Sequence, residues 1–99
     1  MVYYIVMNTY ELTIVIPEDK DGKEVARITK LVTDFVKKTK GEVNKHESWG
    51  SKHLAYPIKK LTIAQYEHFL ITLESTEQPL LDKMLRMDES ILRYMFVRV

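Results

Sequence analysis

The chain has no cysteine, and only three glycines and three prolines among its 99 residues. The absence of cysteine excludes a disulfide scaffold, a thiolate metal site and a cysteine nucleophile. The three glycines lie far apart, so no glycine-rich loop can hold a phosphate. The longest apolar stretch near the start, residues 2–7, is far shorter than the roughly 20 residues of a membrane span. It also lacks the basic flank and cleavage site of a signal peptide. We therefore expect neither a membrane span nor a signal peptide in this stretch.

A strong excess of one charge is also missing. The chain has 15 Lys and Arg residues against 14 Asp and Glu, a net charge of +1. This total favours no particular partner, so a nucleic-acid site would have to come from the distribution of charge. The length and the 45% content of hydrophobic residues are typical of one globular domain.

The first half of the chain changes from a strand period to a helix period. Apolar residues alternate over residues 10–16, which predicts a half-buried strand. Residues 20–40 carry an apolar stripe at helical spacing. Asp19 or Asp21 is the expected N-cap of that helix, and Gly41 is the expected residue just after its end.

The second half contains three further segments with strand patterns and one helix. Residues 42–60 predict one long, irregular strand with a break near Gly50, and residues 66–74 predict a second strand. The helix after it is expected to open with a capping box from Ser75 to Gln78. Residues 91–99 are apolar on both faces, which indicates a last strand that is central or covered by a partner.

The order β-α-β-β-α-β predicts an α+β, ferredoxin-like split fold. Right-handed βαβ units in this order give a four-stranded antiparallel sheet with both helices on one face. The other face is left bare, and monomers seldom leave such a partly apolar surface uncovered. That bare face is expected to carry Glu11, Thr13, Val15, Arg93, Met95 and Val97.

Catalytic and metal-binding patterns are not found. His46, His53 and His68 lack the spacing of a metal site. Acylphosphatase, an enzyme with this fold, would need an anion-binding loop after the first strand, but here residues 17–21 are acidic and would repel phosphate. We therefore predict no enzyme activity, no metal and no cofactor.

The most distinctive feature is a basic window at residues 37–60. It contains seven lysines against two glutamates, a net charge of +5, and Trp49 and Tyr56 lie among the lysines. Cations with interleaved aromatic rings are typical of nucleic-acid interfaces. A solvated polar edge with a half-buried Trp fits the composition equally well. The third strand lacks the glycines of an RNA-recognition motif, so base reading by the sheet surface is not expected.

Residues 53–60, His-Leu-Ala-Tyr-Pro-Ile-Lys-Lys, resemble a segment of the bacterial small-subunit ribosomal protein S6 family. In that family the segment has two basic residues, then Leu-Ala-Tyr-Pro-Ile, then any residue, and then Lys. Residues 9–15 resemble the family's opening Tyr-Glu strand, residues 41–50 its Gly-x-Val strand, and residues 91–95 its closing strand with an arginine. The resemblance covers roughly residues 9–99.

The resemblance implies a non-catalytic protein of the cytoplasmic ribosome, with no cofactor, no small-molecule substrate and no contact with membranes. Such proteins bind the central domain of small-subunit ribosomal RNA together with ribosomal protein S18, which would dock on the bare face. The RNA-facing residues implied by motif position are Lys52, His53, Tyr56, Lys59, Arg93 and Tyr10. The face for the partner protein would be formed by Glu11, Thr13, Val15, Met95 and Val97.

Some alternatives stay open. Tyr56 either stacks on a base or ribose, supports the hairpin, or packs in the core. His53 stands where the family usually has Arg or Lys, and the family's glycine before the third strand is missing, so the hairpin must turn by another geometry. Residues 1–8 are expected to be an extension of the single domain at 9–99, with Met7 as the original start.

The alternative function is a ferredoxin-like regulatory or dimerisation module that pairs sheet to sheet and binds a small ligand. Its association would depend little on salt, whereas RNA binding would weaken steeply as salt rises.

Overall fold

The computed structural model describes residues 6–18 and 21–99. The elements are β1 (Met7–Pro17), α1 (Lys23–Lys38), β2 (Glu42–Ile58), β3 (Leu61–Glu74), α2 (Gln78–Arg86) and β4 (Arg93–Arg98). The strands form one sheet in the order β2-β3-β1-β4, and every neighbouring pair is antiparallel. The predicted α+β, ferredoxin-like split fold is confirmed.

The core lies between one face of the sheet and the two helices. Alternate residues of β1 and β3 point into it, and the apolar stripes of α1 and α2 cover them. Its fully buried side chains are Leu12, Ile14, Ile16, Ile28, Val32, Val36, Phe69, Ile71, Leu73 and Leu81. We call the opposite side of the sheet the open face.

The N-terminal end of α1 differs from the prediction. The N-cap is Gly22, and no side chain caps the helix there. Asp21 lies just outside, where its carboxylate accepts a hydrogen bond of 3.3 Å from the backbone N–H of Lys23. Asp19 lies outside the described residues.

The C-terminal end of α1 gives Gly41 a role other than the predicted one. The left-handed residue after the helix is Lys40, with φ 64°, and Gly41 is not left-handed. A Cβ on Gly41 would lie 2.3 Å from the carbonyl oxygen of Thr72 on β3. Glycine is therefore needed here for close packing of the chain against β3.

The capping box predicted for α2 is wrong. Glu77 is the N-cap, and no side-chain hydrogen bond caps the helix. The bounds of two later strands also differ from the prediction. β3 begins at Leu61, five residues before its predicted start, and β4 begins at Arg93, two residues after its predicted start. The backbone N–H of Leu92 still donates to the carbonyl of Val15 at 2.8 Å.

β2 is long and irregular, as predicted. Its pairing with β3 shifts register between Val43 and Lys45, between Ser48 and Gly50, and between His53 and Ile58. The β2–β3 hairpin then closes between the paired residues Ile58 and Leu61.

The turn consists of Lys59 and Lys60, with φ of 49° and 67°. Positive φ at both central residues is the type I′ geometry that suits the twist of a hairpin. The hairpin therefore turns without glycine and earlier than predicted, because the residues just before the predicted start of the third strand at residue 66 lie within β3.

The hairpin makes the molecule elongated, with extents of 53 × 24 × 22 Å. The pairing of β1 with β3 ends at Pro17 and Ala64, so the hairpin extends past the end of β1. Within residues 6–18 and 21–99, neither helix is long and apolar enough to span a membrane.

Candidate nucleic-acid interface

The six residues predicted for the bare face share the open face. Glu11, Thr13 and Val15 of β1 pair with Val97, Met95 and Arg93 of β4. Met95 is 59% exposed and Val97 is 43% exposed. Val15, however, is buried, because the far part of the hairpin folds over it.

A small cleft marks the place where the hairpin crosses the open face. It has a volume of about 150 Å³ and is lined by Val15, Leu54, Ala55, Tyr56, Ile58, Tyr66 and Arg93. A second, shallower cleft of about 330 Å³ adjoins it along β4, and the two share Val15, Tyr66 and Arg93. The hairpin and β4 thus meet over the middle of the sheet.

Tyr56 and Arg93, two of the predicted RNA-facing residues, lie in direct contact. Nη1 of Arg93 donates a hydrogen bond of 2.6 Å to the Tyr56 hydroxyl. The guanidinium carbon also lies 5.1 Å from the centre of the tyrosine ring. Tyr56 is 55% exposed, so the core-packing alternative is wrong. The pair forms a cationic and aromatic surface that joins β2 to β4.

Lys52 lies beside Trp49 because of a β-bulge. Ser48 pairs with Glu67 and Gly50 pairs with Tyr66, so Trp49 is one extra residue on β2. Gly50 takes a φ of 75° at the bulge. An uninterrupted strand would place residues 49 and 52 on opposite faces, but Nζ of Lys52 lies 5.9 Å from the centre of the Trp49 ring.

The structure separates the basic window into two groups. Lys37, Lys38 and Lys40 lie near the start of β2, whereas Lys59 and Lys60 form the turn at its other end. Because β2 is bulged, its 17 residues pair only with residues 61–72 of β3, so at about 3.3 Å per residue roughly 35 Å separates the two groups.

Two charged side chains near the middle of β2 form an ion pair. Nζ of Lys45 lies 2.6 Å from the Glu47 carboxylate. This hydrogen bond raises the pKa of Lys45 and lowers the pKa of Glu47. The basic segment at residues 49–60 has three lysines and no carboxylate, so the excess positive charge of the hairpin is concentrated there.

The model of the ribosomal protein S6 family matches residues 9–98. The chain belongs to the ribosomal protein S6 family. Its sequence is 39% identical over 93 residues to the small ribosomal subunit protein bS6 of Pelagibacter ubique, covering 94% of this chain and 77% of that protein. It is 35% identical over 92 residues to the bS6 protein of Corynebacterium kroppenstedtii, covering 93% and 97%.

A solved structure of the S6 family has the same fold. The crystal structure of the 30S ribosomal protein S6 of Thermotoga maritima matches with a TM-score of 0.85. The match covers 95% of this chain and 89% of that chain at 22% sequence identity. This match shows the shared fold, and the family model that matches residues 9–98 confirms the family resemblance.

The other predicted RNA-facing residues of this S6 family member fall into two groups. His53 and Lys59 are exposed on the hairpin, close to Lys52 in the chain. Tyr10 is only 7% exposed and lies in the core, where its ring packs edge-on against Phe96. Its side chain offers little surface to RNA, and this placement corrects its assignment to the RNA-facing set.

A buried carboxylate on β3 was not anticipated. Glu67 is fully buried on the helix side of the sheet. Its carboxylate accepts hydrogen bonds from Ser48 Oγ at 2.9 Å and Gln65 Nε2 at 3.3 Å, and His46 Nε2 lies 2.9 Å away. The His46 ring stacks on Phe69 with 4.4 Å between centres. These contacts connect β2 to β3 on the helix side of the sheet, just before the basic segment in the chain.

Sequence reasoning also missed a stacked pair on the open face. The rings of Trp49 and His68 are nearly parallel, with centres 4.5 Å apart. The alternation of β3 places His68 on this face, but only the bulge in β2 brings Trp49 above it. Among the described residues, no group of three His, Asp or Glu side chains could hold a metal ion.

Proposed function

We propose that this chain is a structural, non-catalytic constituent of the small ribosomal subunit in the cytoplasm. It binds the central domain of small-subunit ribosomal RNA together with ribosomal protein S18, without a cofactor, a small-molecule substrate or a membrane. The observation that carries this proposal is the family match over residues 9–98. The relatives in Pelagibacter and Corynebacterium are small ribosomal subunit proteins by name.

The hairpin supplies the RNA-facing surface. Lys52, His53 and Lys59 are exposed there, and each lysine would neutralise one phosphate and release its counterions. Tyr56, fixed by Arg93, presents a ring that can stack on a base or ribose. The lack of carboxylates in the basic segment supports this assignment, since acidic groups would repel the backbone.

The open face supplies the surface for S18. Met95 and Val97 are exposed apolar side chains on the edge strand β4, beside Glu11 and Thr13 of β1. Val15 lies beneath the hairpin and is buried, so it offers no contact surface to S18 and only supports this face. Covering this face would remove apolar surface from water, which favours docking of a partner.

Cell fractionation tests the ribosomal assignment. Native lysate is separated on a sucrose gradient, and the protein is followed by mass spectrometry. We expect it to sediment with the small subunit and to remain there in moderate salt. A slowly sedimenting pool without a subunit peak would contradict the proposal and favour the regulatory or dimerisation module.

Binding measurements test the RNA-facing residues. Affinity for a central-domain RNA fragment is measured with S18 present at several salt concentrations. Lys52→Ala and Lys59→Ala should each weaken binding and reduce the salt slope by about 0.7–1. Lys30→Ala is the matched control, because Lys30 is exposed on α1. Unchanged affinity and slope in both hairpin variants would remove these lysines from the interface.

A further inference from the structure

Trp49 lies on the open face with its ring held in one orientation. One ring face stacks on His68, whose Nδ1 shares a hydrogen bond of 3.1 Å with Thr13 Oγ1. The indole N–H donates to the Glu47 carboxylate at 3.0 Å. These contacts come from β1, β2 and β3, so three strands fix the plane of the indole.

This ring is nevertheless far from buried. Trp49 is 42% exposed, although an indole of this size gains most when it is covered. A fixed aromatic plane with an open surface is pre-ordered for a flat ligand, because little conformational entropy remains to be lost on binding.

The charges around the ring favour an anionic ligand. Glu47 is paired with Lys45 at 2.6 Å, so its negative charge is offset. Nζ of Lys52 lies 5.9 Å from the ring centre on a long, flexible side chain. The surroundings of the ring therefore have one unpaired positive charge among the contacts described.

We propose that Trp49 is a stacking site for one unpaired base of the ribosomal RNA, with Lys52 bound to a phosphate of the same strand. This inference rests on the proposed function and names one of its contacts. A base with its phosphate satisfies both groups, since the π-face of a base stacks on indole and the phosphate neutralises the lysine.

A side chain of a partner protein fits this site less well. An arginine above the ring would be repelled by Lys52, which already lies within cation–π range. An apolar side chain would cover the ring but would bury the Lys52 ammonium without a counter-charge, which is costly. An RNA base would displace Lys52 from the ring, but the phosphate of the same strand would then bind the lysine, so no group is left unsatisfied.

The test measures binding of the chain to the central-domain RNA fragment in the presence of S18. Loss of base stacking typically weakens binding by about 5- to 150-fold, and we expect a loss in this range for Trp49→Ala and Trp49→Leu. Trp49→Phe is the matched variant and should retain most of the affinity, because a phenyl ring still stacks. Thermal melts confirm that each variant is folded, and Trp49→Leu keeps an apolar cover on His68.

The salt dependence distinguishes stacking from charge. Trp49→Ala should leave the salt slope unchanged, because no phosphate contact is lost, whereas Lys52→Ala should reduce it by about 0.7, the value for one phosphate of a single strand. The chain has a single tryptophan, so incorporation of 5-fluorotryptophan gives one ¹⁹F resonance. That resonance should shift when RNA is added to the complex with S18.

Each outcome has a distinct meaning. If the wild-type chain with S18 does not bind the RNA, the proposed function fails. If it binds and the Trp49→Ala and Trp49→Leu variants bind equally well, the stacking site is refuted and the function stands. If these variants lose affinity for S18 without RNA present, the ring is a protein contact and the inference is also refuted.

Discussion

A double substitution in the Lys59–Lys60 turn should raise the stability of the protein and weaken its binding to RNA. Both residues have positive φ, a conformation that costs an ordinary L-residue about 1–2 kcal/mol. Asn and Gly are the residues that a type I′ turn favours. The double variant Lys59→Asn/Lys60→Gly should therefore relieve strain at both positions.

The expected gain is modest because glycine has its own cost. Glycine at residue 60 removes the penalty there, but it adds about 0.5–1 kcal/mol of chain entropy to be lost on folding. Asn at residue 59 tolerates the left-handed region better than lysine does. We expect the free energy of unfolding to rise by about 1–2 kcal/mol, which raises Tm by about 4–8 °C for each kcal/mol.

The same variant should bind RNA less tightly, since it removes two cations from the tip of the hairpin. Thermal and urea unfolding, followed by circular dichroism, measure stability, and the salt slope of RNA binding should fall by at least about 0.7. Lys59→Ala/Lys60→Ala is the control, because it removes the same charges but keeps the strained backbone. If the Asn–Gly variant is no more stable than the Ala–Ala variant, the strain argument is refuted.

Three further predictions concern the rest of the molecule. Val97→Asp should weaken S18 association by about tenfold or more, measured by calorimetry. It should lower Tm only slightly, because the side chain is 43% exposed and the new carboxylate faces only Glu11 across the strand pair. Gly41→Ala should lower the free energy of unfolding in urea by about 1–3 kcal/mol, because its Cβ would meet the Thr72 carbonyl at 2.3 Å. Arg27→Ala should lower that free energy by about 1 kcal/mol at neutral pH, because Arg27 pairs with Asp88 at 2.9 Å.

The effect of Arg27→Ala should depend on pH in a defined direction. The hydrogen bond from Arg27 lowers the pKa of Asp88 below its usual value of 3.8. The ion pair therefore contributes fully above pH 3.8 and is lost as the pH falls through the lower folded-state pKa. The difference between variant and wild type should shrink in acid, and a constant difference would contradict the ion pair.

Controls separate these effects from general damage. Leu80→Asp places the same charge on α2, where the side chain is 54% exposed, and should not change S18 association. Lys30→Ala removes a cation from α1 and should leave the free energy of unfolding nearly unchanged. Unfolding of the Val97→Asp protein would place that residue in the core, and an undiminished stability in Gly41→Ala would refute the close approach to Thr72.

The local sequence pattern was sufficient to predict the order of the elements, the core side of β1 and the family of this protein. The change from a period of two to a helical period fixed the order of the six elements, because each element must bury one face. The same alternation placed Tyr10 with Leu12 and Ile14, on the side that the structure shows to be the core. The motif at residues 53–60 then identified the family, and the absence of cysteine and clustered glycine excluded several classes of site.

Tertiary structure decided where the functional side chains point. The bulge at Gly50 puts Trp49 and Lys52 on one face, although their spacing in a regular strand would put them on opposite faces. The length of β2 divides one basic window into two distant groups, and the hairpin covers Val15 on the open face. Bulges, strand length and twist depend on pairing between strands far apart in the chain, and local periodicity carries no information about that pairing.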